Sequence, residues 1–203
     1  MLPAAADAAV FTENFDDFNI GRRWGVYDTA GQFVTTAGGG IEVQRSGTVV
    51  QSHTAGNHLE LDSHGRSSNS SMAALVNLDA GALYEVSFAY LPRTNREGDN
   101  GISVAIGSLV DRAFTSSQEL GGVNGIRRQQ RSWQVFTYVF TAVAGENAIQ
   151  FSAFGRQNTL GGLLDSIAIN KLADANVQAT PIPASALLFG TCMVFAFRRF
   201  KRA

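Results

Sequence analysis

From Val10 to Asn170 the chain alternates apolar and polar residues in short runs broken by Gly, Asn, Asp and Ser. Tyr84, Val86, Phe88 and Tyr90 share one side of an extended segment, with Glu85, Ser87 and Ala89 on the other. Such a period of two marks a strand with one buried face. Ile149–Ala153 and Asp165–Ile169 repeat the pattern, and Gln134–Phe140 is apolar on both sides, which predicts a central strand. Further strands are predicted over Val10–Phe15, Trp24–Asp28, Gly40–Gln44, His58–Asp62, Ser71–Leu78 and Gly101–Ile106. No window before Ala184 keeps a helical period across a useful length. About ten strands without helices predict an all-β protein, an antiparallel sandwich or barrel. Glycine pairs and triplets, such as Gly38-Gly39-Gly40, punctuate the runs. Pro92–Asn100 reads as a polar loop, and Asp111–Ser132 is the longest weakly patterned stretch, also read as a loop.

The pattern changes after Thr180. Pro181-Ile182-Pro183-Ala184-Ser185 leads into an uncharged run ending at Phe197, and Arg198, Arg199, Lys201 and Arg202 follow. Leu187, Leu188, Phe189, Met193, Val194, Phe195 and Phe197 cover every side of a helix drawn through this run, as a lipid-facing helix requires. The 17 uncharged residues from Pro181 span roughly 25 Å as a helix, at the short limit for a bilayer core. The basic end is expected on the cytoplasmic side, with the body across the membrane. Cys192 lies inside this run and reads as a small packing residue. All acidic residues precede Pro181, so the body is mildly acidic although the whole 203-residue chain has a net charge of −1. That balance excludes a binder of nucleic acid dominated by phosphate contacts. A single Cys excludes an intrachain disulfide framework.

The Pro-x-Pro-Ala-Ser motif, short apolar helix and Arg-rich end resemble the PEP-CTERM sorting tail in its VPLPA-type variant. The resemblance covers Pro181–Ala203, and Thr180-Pro181-Ile182-Pro183 departs from Val-Pro-Leu-Pro at two places. It implies recognition by an exosortase-type membrane transpeptidase and transient anchoring in the inner membrane with the body periplasmic. Delivery to the cell surface or extracellular exopolysaccharide matrix is then expected. Met1–Ala9 has neither a basic nor an apolar signal region but does contain Ala6-Asp7-Ala8, the small-residue pattern of a cleavage site. It is read as the remnant of a signal or as a flexible terminus.

Within the body, Glu13-Asn14-Phe15, Trp24-Gly25-Val26, Gly40-Ile41-Glu42-Val43, Leu59-Glu60-Leu61-Asp62, Tyr84–Phe88 and Leu164–Ile169 resemble, in their order, a galactose-binding-like jelly roll, the fold of many carbohydrate-binding modules. The expected organisation is a terminus over residues 1–9, an antiparallel β-sandwich (jelly roll) over 10–171, a linker over 172–180, and a C-terminal hydrophobic helix within the sorting segment 181–203. The resemblance also implies a structural calcium tying the first strand to the last, through Glu13 and Asp165, with Asp16 or Asp17 assisting.

Sugars bind such modules by stacking on aromatic planes beside polar side chains. The candidates are Trp24, Tyr27 and Trp133 with Arg93 and Asn95; Tyr90 is read rather as core, and Arg96, Asn100 and Arg127 are further polar partners. His53, His58 and His64 are expected to be unrelated surface residues. Arg127, Arg128 and Arg131 form a basic knot, read as a solvated loop or a contact for acidic polysaccharide. Nucleophile-elbow, metalloprotease and phosphate-loop motifs are lacking. Glu42, Glu60 and Asp62 are the carboxylates that could meet in space as a glycosidase needs. The leading expectation is thus a non-catalytic, exported β-sandwich with a polysaccharide partner. A calcium-dependent carbohydrate-binding module and a secreted glycan-active enzyme are the alternatives.

Overall fold

The computed structural model describes residues 9–65, 68–96, 98–125 and 132–175. The terminus before Ala9, the basic knot at Arg127, Arg128 and Arg131, and the sorting segment with its helix and basic end lie outside the described residues. Among the described residues thirteen strands are formed, and every pairing is antiparallel. The front sheet has seven: β11 (Gln134–Thr141), β8 (Leu83–Pro92), β13 (Gly162–Ala173), β6 (Asn57–Glu60), β5 (Ile41–Arg45) and β2 (Trp24–Tyr27) in that order, with β1 (Ala9–Glu13) also paired to β13. The back sheet has six, in the order β10 (Ala113–Val123), β9 (Gly101–Val110), β12 (Ala148–Phe154), β7 (Ser71–Leu75), β4 (Phe33–Ala37) and β3 (Thr29–Ala30). Among the described residues no helix is long and apolar enough to cross a membrane.

Alternation decides what fills the space between the sheets. Ile41, Val43, Leu59, Val86, Phe88 and Leu164 point inward from the front, and Phe33, Met72, Ile102, Ile106, Ile149 and Phe151 meet them from the back. Phe151 sits edge-on to Phe88 at 5.2 Å and 81°, and to Phe33 at 6.1 Å and 67°. Such edge contacts add about 0.5–1.5 kcal/mol to the area term.

Three expectations are corrected. The stretch Asp111–Ser132 is not all loop, since β10 occupies Ala113–Val123. Asp111 and Arg112 both adopt positive φ, 47° and 66°, and turn the chain back onto β9. Two register shifts and an exposed face of Thr115, Ser116 and Glu119 erase the alternation there. Gln134–Phe140 is an edge strand, not a central one: Phe136, Tyr138 and Phe140 pack on the core, but Val135 and Val139 are exposed by 61% and 55%. Valine suits a pleated surface whether or not it is covered. The last strand continues to Ala173, where Lys171 pairs with Asp79 at 2.8 Å and with Asp174. The hairpin β3–β4, turning at Gly31-Gln32, was not anticipated.

Candidate functional site

The outward side of the front sheet carries a row of polar residues that water does not reach. In β5 and β6 the inward Ile41, Val43 and Leu59 leave Glu42, Gln44, His58 and Glu60 facing out, with Glu42 opposite Glu60 and Gln44 opposite His58. All four are nonetheless at most 2% exposed. The segment 46–56 and Trp133 lie over them. Ser52 Oγ is 2.9 Å from His58 Nδ1, the Trp133 indole N–H donates to the Gln51 carbonyl at 2.8 Å, and the Trp133 ring stands edge-on to His58 at 5.7 Å.

Hydrogen bonding fixes the tautomer of His58 in this row. Gln44 Nε2 donates to Glu42 Oε1 at 2.8 Å and to Glu60 Oε2 at 2.7 Å. Its carbonyl oxygen therefore faces His58 Nε2 at 3.2 Å, so Nε2 carries the ring proton and Nδ1 accepts from Ser52. Burial, and then the charge of Arg93, push His58 down to about 4, leaving it neutral. Burial pushes Glu60 up to about 8, partly opposed by Arg93, reinforced by Glu42 and opposed again by the Gly161 N–H. Arg93 donates to Glu60 and, at 3.2 Å, to the Thr159 carbonyl.

Two grooves open at the ends of this row. One, of about 640 Å³, is lined by Arg22, Arg23, Trp24, Tyr27 and His64 among others. Glu42 Oε2 accepts from the His64 backbone N–H at 2.9 Å and lies 3.1 Å from its Nδ1. The His64 ring in turn lies against Trp24, centroids 4.6 Å apart and tilted by 34°. Trp24 is held in this way yet remains 41% exposed. Tyr27 is fixed by donating to the Ile20 carbonyl at 3.0 Å. The second groove, of about 340 Å³, runs between Val49–Ser52, Leu91–Arg93 and Trp133.

The structure thus divides the sugar-binding candidates: Trp24 and Tyr27 line one groove, and Arg93 and Trp133 the other. Asn95 is exposed in the β8–β9 loop and lines neither. Tyr90 is core, its hydroxyl between the Asn100 carbonyl and the Gly125 N–H. The histidines are not three unrelated surface residues. His58 is fully buried, His64 is exposed but bridges Glu42 to Trp24, and His53 stands exposed 2.8 Å from Ser166 Oγ. Glu42 and Glu60 do meet, through Gln44, but under cover. Gln44 and the bridging role of His64 escaped the sequence reading. The alternation of Gly40–Gln44 does put Glu42 and Gln44 on one face, which was the available signal.

Glu13 and Asp165 serve as clamps on backbone N–H groups. Glu13 accepts from Phe15 at 2.9 Å and Gln32 at 2.8 Å, where a Cβ at Gly31 would stand 2.1 Å from its carboxylate oxygen. Asp165 accepts from His53, Thr54 and Ser166 at 2.9, 3.2 and 2.6 Å, and burial raises its pKa. The neighbouring Asp16 holds Thr54, Gly56 and Asn57. Each carboxylate oxygen of Glu13 and Asp165 already has a protein donor, and the two residues share none. Both carboxylates clamp loop backbone in this way. Among the described residues no three His, Cys, Asp or Glu side chains gather as a metal group.

No family model and no curated protein matches the sequence. Solved structures do match in fold. The CBM22-1 xylan-binding domain of Paenibacillus barcinonensis Xyn10C is similar over 85% of this chain and 99% of its own, with a TM-score of 0.50 and 13% identity. The CBM22-1-CBM22-2 tandem of the same protein gives a TM-score of 0.52 at 12% identity, over 85% of this chain and 49% of the tandem. The CBM22-1-GH10 modules of Clostridium thermocellum Xyn10B, complexed with xylohexaose, give 0.50 at 11% identity, over 86% and 30%. At such identities the likeness is one of fold: the chain has the β-sandwich of carbohydrate-binding modules.

Proposed function

We propose that this chain is a non-catalytic carbohydrate-binding sandwich of an exported protein, holding polysaccharide against the rim of its front sheet. Trp24 carries the reading: an exposed indole held by His64, beside the guanidinium groups of Arg22 and Arg23 in an open groove. A fixed aromatic plane loses little entropy when a sugar ring stacks on it, and neighbouring donors can bind hydroxyls. The sealed Glu42–Glu60 pair supports a binding module over a glycosidase, because neither carboxylate can reach a sugar without removal of its cover.

Calorimetric titration with xylohexaose and with neutral and acidic soluble polysaccharides tests the reading. Trp24→Ala should weaken binding by about thirtyfold, the effect of removing an aromatic hot spot worth about 2 kcal/mol, and should leave the fold intact. Absence of binding across the panel, or unchanged affinity in Trp24→Ala, refutes it. The Pro181–Ser185 motif and basic end support export and sorting by an exosortase-type transpeptidase, with the body passing through the periplasm to the surface or matrix. Deleting residues 181–203 should leave the strand circular dichroism unchanged and abolish membrane retention in cells that carry the transpeptidase.

A further inference from the structure

Away from the grooves, three buried oxygens without hydrogen-bond partners attend one loop: Asp62 Oδ1, Asn69 Oδ1 and Asp99 Oδ1. Asp62 and Asn69 face each other across an antiparallel bridge between the ends of the β6–β7 connection. Directly opposed residues stand with Cβ atoms about 5 Å apart on the same side. Both reach the β12–β13 loop. Asp62 Oδ2 accepts from the Asn158 and Leu160 N–H groups at 3.2 and 3.0 Å, and Asn69 Nδ2 donates to the Gly155 carbonyl at 3.0 Å. The β8–β9 loop approaches the same segment, where the Arg156 N–H donates to the Gly98 carbonyl at 2.8 Å and Arg156 Nε lies 3.8 Å from Asp99 Oδ1.

Asp62 and Asn69 thus each spend one polar atom on the loop and keep an acceptor oxygen unused, and Asp99 Oδ1 reaches the same loop at Arg156. Asp62 is fully buried and Asp99 is 2% exposed. Gly161 lets the β12–β13 loop pass close over Asp62, since a Cβ there would stand 2.5 Å from the Asp62 Cβ. A buried carboxylate oxygen without a donor is costly, and acceptors brought together repel one another. A hard cation reverses both terms. We propose that Asp62, Asn69 and Asp99, with carbonyls of residues 155–160, form a calcium-type oxygen site joining the β6–β7, β8–β9 and β12–β13 loops. Two carboxylates, an amide oxygen and backbone carbonyls are ligands that calcium accepts in a flexible geometry. The place differs from that of Glu13 and Asp165, whose oxygens already have protein donors.

The test is titration of the EDTA-treated full chain with CaCl2 and, in parallel, MgCl2, by calorimetry and thermal denaturation. Calcium at a hundredfold excess over its Kd should raise Tm on the order of 5 °C, with magnesium giving less. Asp62→Asn should weaken binding at least tenfold, and Glu13→Gln should leave it unchanged. Asn69→Asp provides a variant of opposite sign. Beside a cation its added carboxylate tightens calcium affinity, whereas without one it only sets two carboxylates against each other and lowers Tm. The proposal is overturned if the wild type shows no calcium response, the oxygens then holding water. It is equally overturned if Asn69→Asp loses stability with no gain in affinity, or if Glu13→Gln rather than Asp62→Asn abolishes binding.

Discussion

The outward residues of the front sheet and those of the back sheet differ in both chemistry and exposure. On the back, β9 and β12 turn out Ser103, Gln150 and Ser152, all half-buried, and β7 turns out Leu75, 62% exposed. These are small or neutral groups that need nothing above them. On the front, Glu42, Gln44, His58, Glu60 and Asp165 occupy the equivalent outward places and are at most 2% exposed. A polar row stays out of water only where each member has a partner, and here the partners are Arg93, His64, Ser52 and the loop backbone. The contrast separates a face that merely ends the protein from one that supports the residues of two grooves.

The contrast can be broken most severely at Glu60. Glu60→Ala strands Arg93 and the Gly161 N–H, and a loss of about 3–5 kcal/mol is expected, read as a lower urea midpoint. Asp165→Ala releases three backbone N–H groups and should cost about 2–3 kcal/mol, with faster hydrogen exchange at His53 and Thr54. Acidity sharpens the comparison next. The folded state keeps the Glu60 proton up to about 8 while an unfolded carboxyl releases it near 4.5, so this group's contribution falls as pH rises through that window. His58 acts oppositely: it stays neutral down to about 4 against 6.5 unfolded, so its contribution grows with pH between those values. The two slopes offset each other below pH 6.5. Above it, Glu60 alone lowers stability, by at most about 2 kcal/mol at pH 8. Glu60→Gln should abolish that alkaline decline, and His58→Gln should extend it down to pH 4.5. On the back sheet Gln150→Ala, which loses one bond to Thr36, should stay within about 0.5 kcal/mol of wild type. A back-sheet effect as large as that of Glu60→Ala would erase the distinction.

Strands buried on one face were legible because alternation follows directly from which side meets the core. Tyr84–Tyr90 was read with its inward Tyr84, Val86 and Phe88 in place. The edge strand β10 was not legible, since bulges and an exposed face leave no period to detect. The site was legible in part. Trp24, Tyr27, Trp133 and Arg93 are visible as residue types, and Glu42 and Glu60 do meet, but the burial of the polar row is not visible. Glu42 and Gln44 fall at outward positions, and outward polar residues are ordinarily solvated. Only the cover from residues 46–56, some of it held by Asp16 and Asp165 from far along the chain, makes them interior. That depends on distant pairings that no local pattern encodes.

The final strand has a mechanical consequence. β13 runs inside the front sheet, bonded to β8 along nearly its whole length and to β1 and β6 on its other side. Tension applied to the chain beyond residue 175 would therefore load those bonds lengthwise and together, in shear, rather than peeling them off singly. A domain tethered at that end would resist being torn open by flow far better than one tethered through the terminal strand β11.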